Sequence, residues 1–489
     1  MVFTSFHFLL FFAVTIIVGH LLKNKAQKLF FLLASYYFYG SFEPYYLILI
    51  LVSTSWDYLC GMGIAASSEK IEGKKITYPV ILSRISKKAW LTSSVLINMG
   101  ILSYFKYTNF GIEILNDTIP QGNTLLAWPA ENILLPAGVS FFTFQSLSYT
   151  VDVYRNQIEA RRSFLDYAVF VSFFPQLVAG PIVRGTVFFK ELDERHPVLH
   201  SDIVIGFSRI VVGFFRKLVL SDNLAPIVNQ VFSSPQNYHP VDVWIAGLAF
   251  GFQIYLDFAG YTDIARGVAR LFGFEFQVNF LYPMAAKNIE DHWNRWHLSL
   301  TTWLRDYIYI PLGGSRAGQI RMYINIFAVW LFGGIWHGPA YHFIAWGLWQ
   351  YVMIVIHRNY KNTKVAEYLR SKGLIYDIAA RVLTFVGLNL GFIWFRADNM
   401  KIATIMHGRL IGIENLYSCF ESTCRLSGNF PAPKHITDYG ILIALYFFYD
   451  IFFNKFKLDY WRRPEHKIRF AFILCAMVLC ILTLTPPET

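Results

Sequence analysis

The chain predicts an all-α, polytopic membrane protein, and three observations carry that reading. Apolar side chains make up 55% of its 489 residues and charged ones only 15%, with a mean hydropathy of +0.39, outside the range of ordinary soluble domains. Apolar windows of the ~20 residues that a helix needs to cross a hydrocarbon core recur from end to end. Basic residues gather in the short stretches between windows, which is the signature of membrane topology.

The windows fall at 3–22, 28–41, 44–62, 88–107, 136–153, 164–180, 203–220, 241–258, 320–336, 340–358, 375–395, 437–454 and 468–486. Because several are short, they predict roughly 11–13 transmembrane or re-entrant helices. The first has no basic region before it, no small-residue cleavage site, and Lys23, Lys25 and Lys28 after it, so a retained helix is expected, not a cleaved signal. Lys/Arg excess at Lys23–Lys28, Lys70–Lys88, Arg155–Arg162, Lys361–Lys372 and Lys455–Arg469, against a Thr108–Leu135 stretch with acidic residues only, predicts an external N-terminus and cytoplasmic basic loops. That signal accounts for much of the net +11 charge. A nucleic-acid partner is not expected, since the cations never collect on one polar face.

No polar stretch between windows is long enough to bury a core of its own. The expectation is one membrane domain over 1–489: N-terminal helices in 1–135, a polar-studded core in 136–358 and C-terminal helices in 359–489. Cys60, Cys475 and Cys480 fall in apolar windows and read as small buried hydrophobes. Cys419 and Cys424 lie in the predicted external loop 396–436, where sequence leaves a disulfide open.

The polar core begins at Phe141–Asp152, which carries Gln145, and continues through Phe173–Arg184 with Pro175, Gly180 and Pro181. Proline and glycine break backbone pairing, so either a broken, cavity-lining helix or a kinked one is expected. Asp257 and Asp263 sit in or beside an apolar window and need Arg, His or Tyr partners; a structural ion pair is favoured over a substrate-path role.

Two histidine-bearing runs stand out, His292–Leu300 and Leu331–Gly338. Ionisable groups at membrane depth are costly and usually functional, and histidine is suited to proton transfer. Read as a helix at 100° per residue, 288–311 places Trp293, Trp296, Leu300, Trp303 and Leu304 on one side, with Asn294, His297, Thr301 and Arg305 on an adjoining polar strip. The aromatic stripe alone favours core packing or interfacial anchoring; for His297, function and structure stay equally open. His337 lies at a turn that Arg321 and Lys361 direct outward or into the membrane. Trp336 packs beside it, and Gly333, Gly334 and Gly338 permit close backbone approach. A metal site is not expected: His292 and His297, like His337 and His342, are five apart, not three or four. No nucleophile elbow, phosphate loop or dinucleotide fingerprint occurs.

Taken in order, the runs 138–154, 174–184, 253–263, 292–314 and 331–338 resemble the membrane-bound O-acyltransferase superfamily, specifically its bacterial alginate O-acetylation branch. The resemblance implies a ring of helices around a thin centre, pierced by a path from a cytoplasmic thioester donor to an outer-face acceptor. It implies His337 as the catalytic histidine and His297 as the second active-site histidine; Asn294, Arg305, Trp336, Asp257 and Gln145, from their place in the polar runs, are the substrate-path candidates. Position 292 departs from the branch's aromatic residue, so His292 receives no catalytic role. The implied reaction takes an acetyl group from acetyl-CoA, with no bound cofactor, to an exported polysaccharide or a secreted SGNH-type partner at a bacterial cytoplasmic membrane. D-alanyl transfer to teichoic acids and a proton-coupled transporter or flippase are the alternatives.

Overall fold

The computed structural model describes residues 1–412 except 2, 73–74, 76, 119–132, 179, 196 and 317, together with 443, 446 and 467–486. Among them there are helices, turns and loops but no strand, as in an all-α polytopic protein. Every apolar window within the described residues forms helix; the window 437–454 and both Cys419 and Cys424 fall outside that description. Three helices are long and apolar enough to cross a membrane, Pro44–Ile71, Pro240–Leu271 and Leu374–Arg396, and shorter apolar helices include Phe6–Leu21 and Ala471–Leu484. The chain divides into two compact units.

Unit 1 comprises Met1–Ile210 and Tyr261–Gln277. It contains α1 (Phe6–Leu21), α2 (Asn24–Gly40), α3 (Leu47–Ile71), α4 (Lys87–Thr118), α5 (Val139–Tyr154), α6 (Phe164–Ser172), α7 (Phe174–Leu177), α8 (Gly185–Asp193) and most of α9 (His200–Phe214). Ser5 starts α1 by accepting a hydrogen bond from the Phe8 amide. Rings of Phe31, Phe173, Phe188, Phe272 and Phe274 pack through the interior, mostly edge-on, with Phe188 and Phe274 stacked.

The helix is broken between α6 and α7 instead of merely kinked. The Phe174 amide, which in a continuous helix would bond the Phe170 carbonyl, donates instead to Ser35 Oγ at 3.0 Å. The Phe170 carbonyl is taken by the side-chain amides of Gln145 (2.5 Å) and Gln176 (2.7 Å). Both backbone groups freed by the break are thus satisfied by protein, as a lipid environment demands.

Unit 2 comprises Val211–Gly260 and Val278–Thr489. Its helices are α10 (Ala225–Ser233), the first part of α11 (Pro240–Leu271), α12 (Ile289–Trp293), α13 (Leu298–Leu304), α14 (Gln319–His337), α15 (Tyr341–Tyr360), α16 (Lys364–Arg370), α17 (Leu374–Arg396), α18 (Met400–Leu410) and α19 (Lys467–Leu484). Phe252, Leu388, Phe392 and Trp296 form part of its buried core. α14 and α15 make a tight antiparallel pair because glycines remove side chains where they meet. A Cβ on Gly334 would lie 2.5 Å from the Phe343 carbonyl, and one on Gly347 would strike the Trp330 carbonyl. Gly333, also expected to allow close approach, has open space around it.

Exposed Ile378, Val382 and Leu383 on α17 leave an apolar outer surface suited to lipid. On α19 the reading of Cys475 as buried is corrected: it is exposed, beside exposed Phe472 and Leu479. An apolar window only says that a residue avoids water, and lipid meets that need as well as protein does. Cys60 is buried as expected.

Candidate active site

His337 is the last residue of α14, at the turn into α15. Its ring lies edge-on among those of Trp336 (4.7 Å), Trp346 (4.9 Å) and Phe395 (4.9 Å). These three rigid neighbours fix the imidazole plane while leaving it half-buried. Its open side forms part of a cavity of about 520 Å³ within unit 2.

His297 lines the same cavity, but not from the continuous helix the periodicity predicted. α12 ends at Trp293 and α13 begins at Leu298, with His297 between them at φ +42°, a left-handed conformation that is uncommon for a residue with a Cβ. The segment before α12 holds this break open. The Asn279 carbonyl accepts from the Leu298 amide (3.0 Å), its side-chain oxygen from the Ser299 amide (3.1 Å), and the Arg295 carbonyl from the Leu281 amide (2.9 Å). These long-range bonds outweigh local helical propensity and turn the His297 ring edge-on against Phe258 at 4.6 Å. The expected polar strip nevertheless reaches the cavity intact: Asn294, His297, Thr301 and Arg305 all line it.

His297 is 3% exposed. Its Nδ1 lies 3.4 Å from Ser299 Oγ, and its Nε2 has no hydrogen-bond partner among the described residues. The indole N–H groups of Trp293 and Trp346 and the Tyr309 hydroxyl are buried and unpartnered in the same way, and all three residues line the cavity. Buried polar groups are normally paired, so four unpaired ones on residues that line a single cavity single it out as the candidate site. Sequence reading took Trp293 for packing or interfacial anchoring and assigned Trp346 and Tyr309 no role. Their polar atoms carry no spacing signal, because whether an indole N–H is satisfied is decided by the neighbouring helices.

One end of the cavity is charged. Glu290 pairs with Lys361 at 2.7 Å and Arg358 at 2.9 Å. Burial alone would raise its carboxyl, but the hydrogen bond and charge of Lys361, with Arg358 and His357 nearby, hold it below the usual range. A second cavity of about 530 Å³ shares Glu290 and Lys361 with the first and adds Lys287, His357, Arg370 and Tyr376.

The other sequence candidates lie elsewhere. Trp336 is buried against His337 and does not line the cavity. Asp257 is bound to Lys217 at 2.6 Å, a lysine instead of the expected Arg, His or Tyr, and that lysine also holds Asp222. Gln145 belongs to unit 1 and its amide is committed to the α6–α7 break. His292 is fully buried, stacked on Trp296 with Nδ1 3.2 Å from the Pro283 carbonyl. Among the described residues no group of three or more His, Cys, Asp or Glu is placed to hold a metal ion.

The model of the MBOAT, membrane-bound O-acyltransferase family matches residues 31–393. The chain belongs to that family. It is therefore a membrane O-acyltransferase, and both cavity histidines fall inside the matched region. Among MBOAT relatives, the probable alginate O-acetylase of Pseudomonas syringae pv. tomato is 35% identical over 84% of this chain and 75% of its own length. A peptidoglycan O-acetyltransferase of Helicobacter pylori is 31% identical over 80% of this chain and 75% of its own. The teichoic acid D-alanyltransferase of Bacillus subtilis is more distant, at 28% over 55% of this chain and 70% of its own.

Proposed function

We propose that this MBOAT enzyme transfers an acetyl group from a cytoplasmic thioester, acetyl-CoA, to a hydroxyl of an exported polysaccharide, directly or through a secreted SGNH-type partner. It would act in a bacterial cytoplasmic membrane with its N-terminus outside. The observation that carries this reading is that His337 and His297 line one cavity together with the unpaired donors of Trp293, Trp346 and Tyr309. The acetyl acceptors named for the alginate and peptidoglycan relatives point to a glycan hydroxyl.

A hydroxyl is a weak nucleophile at neutral pH. Neutral His337 takes its proton as the oxygen attacks the thioester carbonyl, giving a tetrahedral oxyanion. Collapse of that intermediate breaks the C–S bond, and the proton on His337 passes to the departing thiolate. Such general-base help is typically ~10²–10⁴-fold. The oxyanion needs fixed donors in a site shielded from water. In the tautomer whose Nδ1 accepts from Ser299 Oγ–H, His297 Nε2–H joins the indole N–H groups as a candidate donor. The cationic end formed by Arg358 and Lys361 suits the phosphates of CoA. Arg305 and Asn294 are placed here as substrate-orienting groups.

The test is purified protein in lipid, given radiolabelled acetyl-CoA and polysaccharide acceptors. Transfer of label into an ester is expected from the native chain, and none from His337→Ala. Near-normal ester formation by His337→Ala would sink the assignment of the base. Label that stays on CoA while a substrate crosses the bilayer would favour a transporter. A label accepted only from D-alanyl carrier thioester would favour the teichoic-acid branch.

A further inference from the structure

We propose that unit 1 holds a phosphate-binding site at the turn between α1 and α2, separate in its residues from the acyl-transfer cavity. A cavity of about 460 Å³ is lined there by Lys25, Gln27, Lys28, Asp166, Asp193 and Arg195, among others. Its two carboxylates are already spoken for. Arg161 binds Asp166 at 2.5 Å and Asp193 at 2.5 Å, and Lys28 reaches Asp166 at 2.8 Å. Arg195 and Lys25 have no carboxylate partner among the described residues. The lining cations Lys25, Lys28 and Arg195, with Arg161 bound to the two acids, outnumber those acids and leave a positive surplus around a concave space.

Arg195 is built into the wall instead of lying loose on the surface. Its guanidinium donates to Gln27 Oε1 and stands 5.8 Å from the Phe31 ring and 5.9 Å from the Phe274 ring. Gln27 is itself buried and anchored through its Nε2 to the Gly19 carbonyl at 2.6 Å. A neutral acceptor and two rings orient the fork but do not neutralise it, so an anion has both a charge to meet and a fixed geometry to bind. The backbone adds to the same field: α2 begins at Asn24 with no side-chain cap and no acid in its first turn, so it presents a positive helix end, whereas the start of α6 is capped by Ser163 and carries Asp166.

The phosphate can arrive on a phospholipid headgroup or on a soluble ester, and the recognising chemistry is the same. Exposed Ile17 and Leu21 occupy the last turns of α1 just before this site, an apolar surface where acyl chains would lie while the headgroup meets Lys25 and Arg195. Anionic lipids hold nearby basic segments with ~1 kcal/mol per Lys or Arg.

The experiment follows the thermal unfolding midpoint of the full chain in neutral detergent micelles. Phosphatidylglycerol, phosphatidylcholine and inorganic phosphate are each titrated in. Phosphatidylglycerol is expected to raise the midpoint saturably. Arg195→Gln, Lys25→Gln and the pair should each raise the half-saturating concentration, about tenfold for the pair, while Lys88→Gln, an exposed cation elsewhere in unit 1, leaves it unchanged. A response to inorganic phosphate as well would identify soluble phosphate as a competent ligand, and a response to phosphatidylglycerol alone would identify lipid. Should Arg195→Gln misfold, Lys25→Gln decides, since Lys25 is exposed. No shift with either probe, or an undiminished shift in Lys25→Gln, overturns the site. None of these readings depends on acyl transfer, so failure of the enzymatic proposal would leave this one standing.

Discussion

The α6–α7 break in unit 1 and the α12–α13 break in unit 2 begin alike, as interrupted helices in apolar sequence with polar side chains nearby. In the first, the backbone groups set free at Phe170 and Phe174 are taken up by Gln145, Gln176 and Ser35. In the second, the backbone is secured through Asn279. Side-chain atoms are left without a partner among the described residues at both breaks, Gln176 Oε1 at the first and His297 Nε2 with the Trp293, Trp346 and Tyr309 donors at the second, but the latter residues line a cavity with His337. Polar atoms in an apolar setting therefore mean different things. Where they answer a backbone need, as Gln145 does, they are structural; those on residues that line a cavity with His337 are, under the proposed function, the ones placed to meet a substrate.

The largest expected effect breaks that comparison at His337. Replacing it with Gln, which keeps size and polarity but cannot hold the proton, should lower the rate of ester formation by ~10²–10⁴ with an unchanged unfolding midpoint. Trp293→Phe and Trp346→Phe come next. Each removes one N–H and keeps most of the ring, so loss of an oxyanion donor should appear in kcat, by up to ~10²–10³, with little change in KM for the donor. If either variant changes only the midpoint, that indole is packing and the cavity's unpaired donors lose one member.

Much of this was legible in the sequence, and the limits were physical. Helix windows could be read because lipid imposes length and apolarity on each span separately. Asn294, His297, Thr301 and Arg305 reach one cavity, but so do Trp293, Trp296, Leu300 and Leu304 from the side expected to pack, because the break at His297 undoes a single helical face. That break could not be read, because it depends on Asn279, remote in sequence, offering both its carbonyl and its side chain. The same limit hid Gln145: from sequence it was a polar residue in an apolar run, and only the position of the Phe170 carbonyl reveals what occupies its amide. The charged end at Glu290, Arg358 and Lys361 was hidden likewise, since its members come from α12 and the C-terminal end of α15.

On the structural side of the comparison, Ser35→Ala should strand the buried Phe174 amide and cost ~1–3 kcal/mol, read as a lower unfolding midpoint with kcat retained. Gly334→Ala should cost a similar ~1–3 kcal/mol by overpacking, because its Cβ meets the Phe343 carbonyl and not a flexible side-chain tip. The two differ in a useful way. Gly334 lies one turn before His337 on α14, so its variant should also lower kcat, whereas Ser35 has no such neighbour. Equal kcat losses in both would mean that activity follows overall stability instead of His337 geometry.

The smallest effect belongs to Glu290, whose carboxyl is held below its ordinary range after Lys361 and its neighbours overcome the effect of burial. A carboxyl depressed in the folded state binds its proton more readily when unfolded, so it contributes stability above the unfolded value, ~4.3. That contribution fades as pH falls through the lower folded value. From pH 7 down to ~5 the Glu290 pairs should therefore give a constant increment, under ~1 kcal/mol because they are partly exposed, and lose it only in stronger acid. Glu290→Gln should lower the midpoint by that constant amount near neutrality and converge with the native chain in acid. If Arg358 and Lys361 also receive donor phosphates, the same variant frees both cations and should lower KM for acetyl-CoA while leaving kcat alone. A rise in KM would instead make Glu290 the group that holds those cations in place for the donor, and the charged end would be as preorganised as the donors around His297.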